Sequence, residues 1–409
     1  MNTLLTPATL ETTKALVRLV LQRERDGNQD APVGGDQLPA GLRQQLEAVP
    51  KEALLASIKR HRLECLLHGD PLVARLVPDL APALQALARR ETMAALALAS
   101  LTREMAALFE QAAIPMLVIK GIPLALQTTG TLTTRGRGDL DLLVDPKRLP
   151  EAMALLESVG FEKTYGASCI GTDSPQDKYS RFVSIELSLV RQKGQRQWID
   201  LHWHVSHARG VFPGFNGLWN NRDYVEINGT SVATLSLKNA FVHACCHAAV
   251  DRWMCIRNLV DVERLARRLN PQDLDVLRKK RLVRKTCAVA KDCGTNQVLQ
   301  SLIRAPTIGT YTRFVYGARE AQLLPWRSLG LGEWTVRNRI QLSLRHLNLS
   351  RHPEHLTSML MQHLIPPESL LSQETGENLS FDVVLLRRLQ KLILRIRGGD
   401  VHPAQPPCR

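Results

Sequence analysis

Two aspartates that stand one residue apart interrupt an otherwise apolar segment, "GDLDLLVDP", in the first half of the chain. Asp139 and Asp141 alternate with leucines, so a strand formed here would carry carboxylates into packed surroundings. An unpaired buried carboxylate is costly, and two of them close together are costlier still. Any fold that this segment enters therefore has to supply a positive partner for the pair, such as a metal ion.

The residues around this pair alternate between short strands and short helices. After Pro115, "MLVIK" predicts a strand, "GIPLALQTT" a helix, "DLDLLV" a second strand and "LPEAMALLESVG" a helix that Gly160 ends. "RFVSIELSLV" and "RQWIDLHWHV" are further strand candidates. The alternation predicts a small mixed α/β domain over residues 114–235.

The sequence on both sides of this domain has apolar residues at helical spacing. Residues 1–113 predict an N-terminal helical region, which includes "PKEALLASIKRHRLECLLHG" and a long Ala/Leu-rich helix. Residues 236–400 predict a C-terminal helical region, which includes "PQDLDVLRKKRLVRK", and the Pro-rich residues 401–409 predict a disordered tail. The expected fold class is α+β, with a small mixed-sheet domain between two helical regions.

Composition indicates where such a protein works. With 44% hydrophobic and 22% charged residues, the chain has the balance of an ordinary soluble globular protein. It has no run of about 18 apolar residues and no secretory signal at its start, which predicts no stable membrane insertion. Eight scattered cysteines without a CxxC motif are typical of reduced thiols, so we expect a cytoplasmic protein.

The formal net charge of +14 favours polyanionic partners, such as nucleoside triphosphates, nucleic acid or an anionic membrane surface. The densest basic cluster is "RKKRLVRK", residues 278–285. A solvated helix face is the favoured interpretation of this cluster, and RNA or DNA binding is the alternative.

The aspartate pair has the geometry of a metal site. Side chains two residues apart in a strand share a face, so Asp139 and Asp141 are expected to project together. Such a pair can share Mg²⁺ or Mn²⁺, and Asp200 in "QWIDLHWHV" is the best third carboxylate. Lys120 and Gly121 stand where a strand turns into a helix, a position that suits phosphate binding. Together these parts suit phosphoryl or nucleotidyl transfer by two metal ions.

These motifs, in this order, carry a resemblance. "LVIKGIPLA", "TLTTRGRGDLDLLVDPKRLPEAMALLESVGF", "WIDLHWHVS" and "LSLKNAFVHACCHAAVDRW…IRNLVDVERLAR" resemble an uncharacterised bacterial nucleotidyltransferase family of the DNA-polymerase-β-like superfamily. The resemblance covers about residues 114–268. It implies a nucleotidyltransferase catalytic domain in a protein from a biosynthetic pathway for exopolysaccharides or modified peptides.

The resemblance also implies roles for single residues. The residues implied to be catalytic and to bind the metal are Asp139, Asp141 and Asp200. The residues implied to bind the nucleotide are Lys120, Gly121, Arg135, Arg137, His202 and His247. Asp261 matches a further recurring position of the family. The wider superfamily has Gly-Ser at the phosphate turn, whereas this chain has Lys-Gly followed by Ile122 and Pro123.

The sequence thus predicts an Mg²⁺-dependent enzyme that moves a nucleoside monophosphate from an NTP to an acceptor, which is a glycan precursor, a peptide or tRNA. One alternative is a toxin-like enzyme that modifies tRNA. Another is an inactive binding or scaffold module that keeps the fold.

Two further patterns have a plain structural interpretation. His243 and His247 lie one helical turn apart beside three cysteines, which raises a zinc site, but the cysteines point elsewhere at helical spacing and packing is favoured. His202 and His204 share a strand face with Asp200, so a mixed His/Asp metal site is an alternative. The C-terminal "VVLLRRLQKLILRIR" is amphipathic and is expected to dock on the protein rather than on a membrane.

Overall fold

A computed structural model describes residues 5–27, 41–136, 138–164, 170–294, 297–303, 309–324, 350 and 352–364, together with the isolated positions 383 and 386. Within these residues the chain forms one seven-stranded mixed sheet with helices before, within and after it. The α+β fold class with helical flanks is therefore confirmed. The division at residues 113 and 235 stays a prediction, and residues 401–409 and the amphipathic segment near residue 390 lie outside the described residues, apart from the isolated positions 383 and 386.

The sheet has the strand order β3-β4-β5-β2-β1-β7-β6. Its strands are β1 (Met116–Val118), β2 (Asp141–Val144), β3 (Glu162–Lys163), β4 (Glu186–Lys193), β5 (Gln195–His202), β6 (Asp223–Ile227) and β7 (Thr230–Thr234). The central strand β2 runs parallel to β5 and antiparallel to β1, and β1 runs parallel to β7. The outer pairs β3–β4, β4–β5 and β6–β7 are antiparallel.

The helices fall into three groups along the chain. Those before the sheet are α1 (Pro7–Arg25), α2 (Leu42–Ala48), α3 (Lys51–Arg60), α4 (Glu64–His68), α5 (Pro71–Leu76) and α6 (Ala81–Gln111). Those within it are α7 (Ile122–Thr129), α8 (Leu149–Ser158), α9 (Pro175–Val183) and α10 (Phe215–Asn220). Those after it are α11 (Leu237–Val250), α12 (Ile256–Ala266), α13 (Pro271–Leu277), α14 (Arg281–Cys293), α15 (Gln297–Leu302), α16 (Gly309–Leu323) and α17 (Pro353–Leu364).

The central strands lie between two hydrophobic cores. Leu142 and Val144 of β2 face a core that α6 and α8 share with the sheet. Leu143 faces a second core, in which N-terminal helices such as α1 and C-terminal helices such as α12 and α14 pack together. Because both faces of β2 are covered, all four of its residues are buried, and a charge placed here must be matched inside the protein.

Several sequence-based boundaries were wrong. The segment "RFVSIELSLV" was predicted as one strand, but Ser174 caps a helix that extends to Val183, and β4 begins only at Glu186. The segment "PKEALLASIKRHRLECLLHG" was predicted as one helix, but it breaks after Arg60 and restarts at Glu64, with Arg62 in the left-handed region at φ 55°. The predicted helix over "PQDLDVLRKKRLVRK" breaks between α13 and α14. Strands β3, β6 and β7 were missed.

Within the described residues, one helical stretch, Pro78–Gln111, is long and apolar enough to cross a membrane by length and composition alone. Of the apolar 18-residue window within this stretch, 33% is buried inside the protein. Core helices of soluble proteins pass the same test, so this is weak evidence for a membrane span. The expectation of no stable membrane insertion stays a prediction.

Candidate active site

The central pair of acids is built by strand register. β2 and β5 run side by side in the same direction, and Asp141 pairs with Asp200 across them. Residues in register on neighbouring strands project to the same face, so the two carboxylates face the same side of the sheet. Asp139 precedes β2 instead of lying in it, and its side chain is exposed. The expectation that Asp139 and Asp141 would both be strand residues was therefore wrong.

Asp141 is fully buried and is matched by two basic side chains. Lys120 Nζ lies 2.7 Å from Asp141 Oδ1, and His202 Nε2 lies 3.0 Å from the same oxygen. Burial alone would raise the pKa of Asp141, but Lys120 and His202 outweigh it and hold that pKa well below its usual value. Burial would likewise lower the pKa of Lys120, and Asp141 raises it instead. The carboxylate is thus ionised at neutral pH.

Asp200 is in the opposite electrostatic situation. Burial raises its pKa, the neighbouring carboxylates of Asp141 and Glu186 raise it further, and the hydroxyl of Ser188 opposes them by donating to Asp200 Oδ1 at 2.5 Å. A carboxylate with a raised pKa is a stronger base and is better suited to accept a proton during a reaction. The two acids therefore have different chemical characters although they are neighbours.

Gly121 shapes the turn between β1 and α7. Its φ of +66° lies in the region that favours glycine, and a Cβ placed there would stand 2.5 Å from the backbone oxygen of Asp139. The residue is also the N-cap of α7 and has no capping side chain. Glycine here lets the loop before β2 pass directly over the start of α7, which brings Asp139 and Lys120 to one place.

Arg135 fixes the loop before the acidic pair to the C-terminal helices. Its Nε and Nη2 donate to Asp261 of α12 at 2.9 to 3.0 Å, a buried bidentate pair. Burial opposes its charge, but Asp261 outweighs burial and raises the pKa of Arg135. The predicted positions Arg135 and Asp261 therefore meet, and the contact joins two segments 126 residues apart in sequence.

A cleft of about 150 Å³ opens beside these groups, between the sheet and the helices. Four cations, Arg62, Lys120, Arg135 and Arg257, line it. Burial first, and then Arg135, lower the pKa of Arg257 to about 10, so it remains charged at neutral pH. Such a concentration of cations in a confined space favours a polyanionic ligand.

The cleft is also lined by His247 of α11 and by Asp251, the residue that follows this helix. Their side chains lie 3.4 Å apart, from His247 Nδ1 to Asp251 Oδ2. Burial raises the pKa of Asp251 to about 6, and burial together with Lys120 keeps the pKa of His247 well below its usual value. His247 is therefore neutral in this cleft at pH 7.

The acidic side chains of the site are of the chemical type that binds divalent cations. Asp139, Asp141 and Asp200 offer hard oxygen ligands, and Asp141 Oδ2 is a buried atom without a hydrogen-bond partner. The arrangement is not a formed metal cage: within the described residues, no three His, Cys, Asp or Glu side chains stand close enough to hold a metal ion. The second oxygen of Asp141 is the position at which these acids fit a cation.

The comparisons with known proteins agree with this geometry. A model of the family described as "Uncharacterised nucleotidyltransferase" matches residues 47–290, which is more than half of the chain. The chain belongs to this nucleotidyltransferase family. No curated protein matches it. The match supports nucleotidyl transfer in general as its activity, and it extends over the helices before and after the sheet.

The candidate site thus brings together most of the residues that the sequence singled out. Asp141, Asp200, Lys120 and His202 form one cluster, and Asp139, Gly121, Arg135 and His247 line the adjoining cleft. Arg137 lies outside the described residues. His243 is buried, with its ring centroid 6.4 Å from that of His247, and within the described residues no metal-binding group that includes this pair is found.

Sequence reasoning missed four residues of this candidate site. Glu186 Oε2 lies 3.0 Å from His202 Nδ1, and Ser188 donates to Asp200. Both could have been found, because they alternate along one predicted strand. Arg62 lies in the turn between α3 and α4, and Arg257 lies at the start of α12; these positions bring both side chains to the cleft. Neither position carries a local signal.

The basic cluster of the nucleotidyltransferase is partly used for structure. Lys285 is buried over the ring of Phe314, with Nζ 4.5 Å from the ring centroid. Arg284 donates to the backbone oxygens of Arg278 and Lys279, and Lys280 donates to that of Val211. Only part of the cluster faces solvent, which weakens its interpretation as a nucleic-acid surface.

Proposed function

We propose that the protein is an Mg²⁺-dependent nucleotidyltransferase that moves a nucleoside monophosphate from an NTP to an acceptor hydroxyl. The acceptor oxygen bonds to the α-phosphorus while the bond from that phosphorus to the pyrophosphate oxygen breaks, and the acceptor proton passes to a base. The observation that carries the proposal is the register of Asp141 with Asp200, next to a cleft that Lys120, the partner of Asp141, lines. An ionised carboxylate and one with a raised pKa, close to a space suited to a polyanion, support this chemistry.

The residues that would hold Mg²⁺, or Mn²⁺ in its place, are Asp139, Asp141 and Asp200. The ion would neutralise negative charge on the reacting phosphate. Asp141 Oδ2 has no hydrogen-bond partner within the described residues. This supports the assignment, because that oxygen is available to bind a cation. Lys120, now paired with the first oxygen of Asp141, is close enough to the cleft to contact the triphosphate as well.

The nucleotide would occupy the cleft under the helices. Lys120 and Gly121 would contact the triphosphate where α7 begins, and Arg62 and Arg257 would bind its outer oxygens from the opposite wall. His247, neutral at pH 7, would contact the nucleotide as a hydrogen-bonding group. His202 would act indirectly, because its Nε2 contacts Asp141 and holds that carboxylate in place.

Asp200 would serve as the base that accepts the proton of the acceptor hydroxyl. Its raised pKa supports this role, since a carboxylate with a low pKa accepts a proton poorly. The hydrogen bond from Ser188 would hold the Asp200 side chain in one orientation during the transfer.

The wider setting follows from the resemblance. We propose a place in the DNA-polymerase-β-like superfamily, a bacterial source and a cytoplasmic enzyme of a biosynthetic pathway, with a glycan precursor or a peptide as acceptor. A tRNA acceptor is the second candidate, favoured by the net charge of +14. The structural contacts of Lys285 and Arg284 count against it, because they remove part of the basic cluster from solvent.

The test uses the full chain with Mg²⁺, each of four α-labelled NTPs and cell extract as the source of acceptor. Transfer of label by the native protein, and its loss in Asp139→Asn and Asp200→Asn, would support the proposal. Digestion of the labelled product with ribonuclease, glycosidase and protease would then assign the acceptor class. If no NTP binds and the variants equal the native protein, the scaffold interpretation replaces this one.

A further inference from the structure

The face of the sheet that carries the catalytic acids continues outward along β4 and β5. Ser188 pairs with Asp200, and the next pair on the same face is Val190 with Trp198. β3 adds Glu162 beside Val190. Glu162, Val190 and Trp198 line a groove of about 640 Å³ together with Gln192 and Arg196, and the pair Ser188–Asp200 is the next pair along the strands from Val190 and Trp198.

Among the described residues, this groove is open, whereas the other half of the same face is covered. Trp198 is 47% exposed, and the alternate residues of β4 and β5 that face the groove are partly or fully exposed as far as Ser188 and Asp200. Their neighbours on the opposite face, such as Leu189 and Ile199, are fully buried in the core with α6 and α8. A large exposed aromatic ring in a groove is a feature of ligand-binding surfaces.

The groove is placed at the right distance from the chemistry. Two residues along a strand span about 7 Å, so the Trp198 ring lies roughly one ring-sized unit away from the Asp200 carboxylate. The nucleotide cleft lies on the other side of Asp141, toward α7 and α12. An acceptor in the groove would therefore approach Asp200 from the side that the nucleotide leaves free.

The charge of the groove is unlike that of the cleft. Its lining has one acid, Glu162, and one base, Arg196, whose guanidinium carbon lies 5.9 Å from the centroid of the Trp198 ring. Nearby cations on these strands face the other way: Arg191 and Lys193 pair with Glu104 of α6. A phosphate-rich acceptor would need a surplus of cations, which this groove does not have within the described residues.

We propose that this groove binds the acceptor of the nucleotidyl transfer and that the acceptor is a neutral sugar whose ring stacks on Trp198. The proposal rests on the proposed function for the identity of the reaction. Sugar hydroxyls would hydrogen-bond with Glu162, Gln192 and Arg196, which surround the indole in adjacent rows of the sheet. The next unit along the groove would present its hydroxyl to Asp200.

The experiment measures binding rather than turnover. The full-length protein with Mg²⁺ and a non-hydrolysable α,β-methylene ATP is applied to an array of neutral gluco-, galacto-, manno- and N-acetylglucosamine oligosaccharides. A mixed-sequence 20-nucleotide RNA is titrated in parallel. ATP affinity is measured separately for every variant.

The matched variants are Trp198→Ala and Tyr224→Ala. Tyr224 is also an exposed strand aromatic, 53% exposed, with the Arg222 guanidinium carbon 5.0 Å from its ring centroid, but it lies on β6 at the other edge of the sheet. We expect oligosaccharide binding by the native protein, at least about tenfold weaker binding in Trp198→Ala, and no change in Tyr224→Ala. ATP affinity should be equal in all three.

Three results would overturn the proposal: no oligosaccharide on the array binds, binding survives Trp198→Ala unchanged, or RNA binds in a manner that depends on Trp198. The ATP measurement separates this failure from that of the proposed function. If ATP binds and no sugar does, only the groove assignment fails. If sugar binds through Trp198 but no NTP binds, the groove is a sugar site and the transferase proposal fails.

Discussion

The catalytic face of the sheet has two halves that share the same strand alternation and differ in what covers them. Over β1 and β2, helices of the N- and C-terminal groups enclose the face, and a cleft lined by four cations remains. Over β4 and β5 the described part of the chain leaves the face open, and the groove there is lined by one acid and one base. Asp141 and Asp200 stand at the boundary between the halves.

Under the proposed function, this difference would let one sheet bind two substrates of unlike charge. Enclosure strengthens electrostatic interactions, so the covered half suits a triphosphate whose position must be fixed. The open half suits an acceptor that is larger and held by surface contacts. Asp141, which the covered half buries, has a lowered pKa, whereas Asp200 at the start of the open half has a raised one.

The largest loss of transfer activity is expected when the two acids at this boundary, Asp141 and Asp200, are substituted. Asp141→Asn and Asp200→Asn should each lower transfer activity on the order of 10³-fold or more, because each removes charge that acts on the reacting phosphate or the acceptor proton. Activity with labelled NTP and melting temperature would be measured together. Asp173→Asn, at an exposed acid, is the control.

Both substitutions are needed because they differ in their structural cost. Asn at position 141 leaves Lys120 without its carboxylate, whereas Asp200 has no ion pair with Lys120, and its raised pKa means that burial disfavours its charged form, so Asn should cost less stability there. If Asp200→Asn folds as the native protein does and keeps activity within tenfold, the boundary acids are not catalytic.

The second prediction concerns the turn that closes the covered half. Gly121→Ala should destabilise the protein by about 1–3 kcal/mol and weaken nucleotide binding more than tenfold, because the new Cβ meets the backbone of Asp139. Gly130→Ala is matched to it: Gly130 also has a positive φ, of 73°, but a Cβ there meets no atom within 4 Å. Thermal unfolding and ATP titration of both variants test this, and equal effects would contradict the role of Gly121.

The two halves also differ in how much of them could be predicted from the sequence. The strand pattern predicted β1, β2 and β5, and the alternation within "WIDLHWHV" correctly placed Asp200 and His202 on one face. The groove was within reach too, since Ser188 and Val190 alternate along the same segment as Glu186. An alternation with a period of two residues predicts which side chains share one face of a strand. These residues could be placed because they lie on one face of their own strand.

The cationic wall could not be predicted in the same way. Arg62 reaches the cleft because it lies in the turn between α3 and α4, where its own backbone is left-handed. The apolar spacing of the sequence continues across this turn, so the pattern predicts a single helix. The pairing of Arg135 with Asp261 joins residues 126 positions apart. Such contacts follow from tertiary packing of helices, on which periodicity carries no information.

The third prediction tests whether that wall binds phosphate. Arg62→Gln should raise the KM for NTP roughly ten- to a hundredfold with a smaller change in kcat, because a charge-assisted contact to the triphosphate is lost. Arg281→Gln, an exposed arginine in the basic cluster, is the matched control and should leave KM unchanged. If Arg281→Gln raised the KM and Arg62→Gln left it unchanged, the polyanion would bind at the basic cluster, and a tRNA acceptor would be favoured.

The smallest predicted effect is a pH dependence of nucleotide binding in the covered half. Burial raises the pKa of Asp251 to about 6, so this carboxyl is largely neutral below that pH and charged above it. A negative charge in the cleft opposes an anionic ligand, so Asp251 should weaken binding of ATP with Mg²⁺ as the pH rises through 6. The triphosphate itself titrates near this range and acts in the opposite direction, so the native curve alone does not isolate the effect.

Asp251→Asn isolates it, because asparagine stays neutral at every pH. The ratio of the native Kd to the Kd of the variant, measured by titration calorimetry from pH 5 to pH 8, should rise from about one to several-fold. A ratio that stays constant across this range would mean that the ligand does not sense the charge of Asp251. The nucleotide would then lie outside the cleft, and the division of the sheet into a nucleotide half and an acceptor half would have to be reversed.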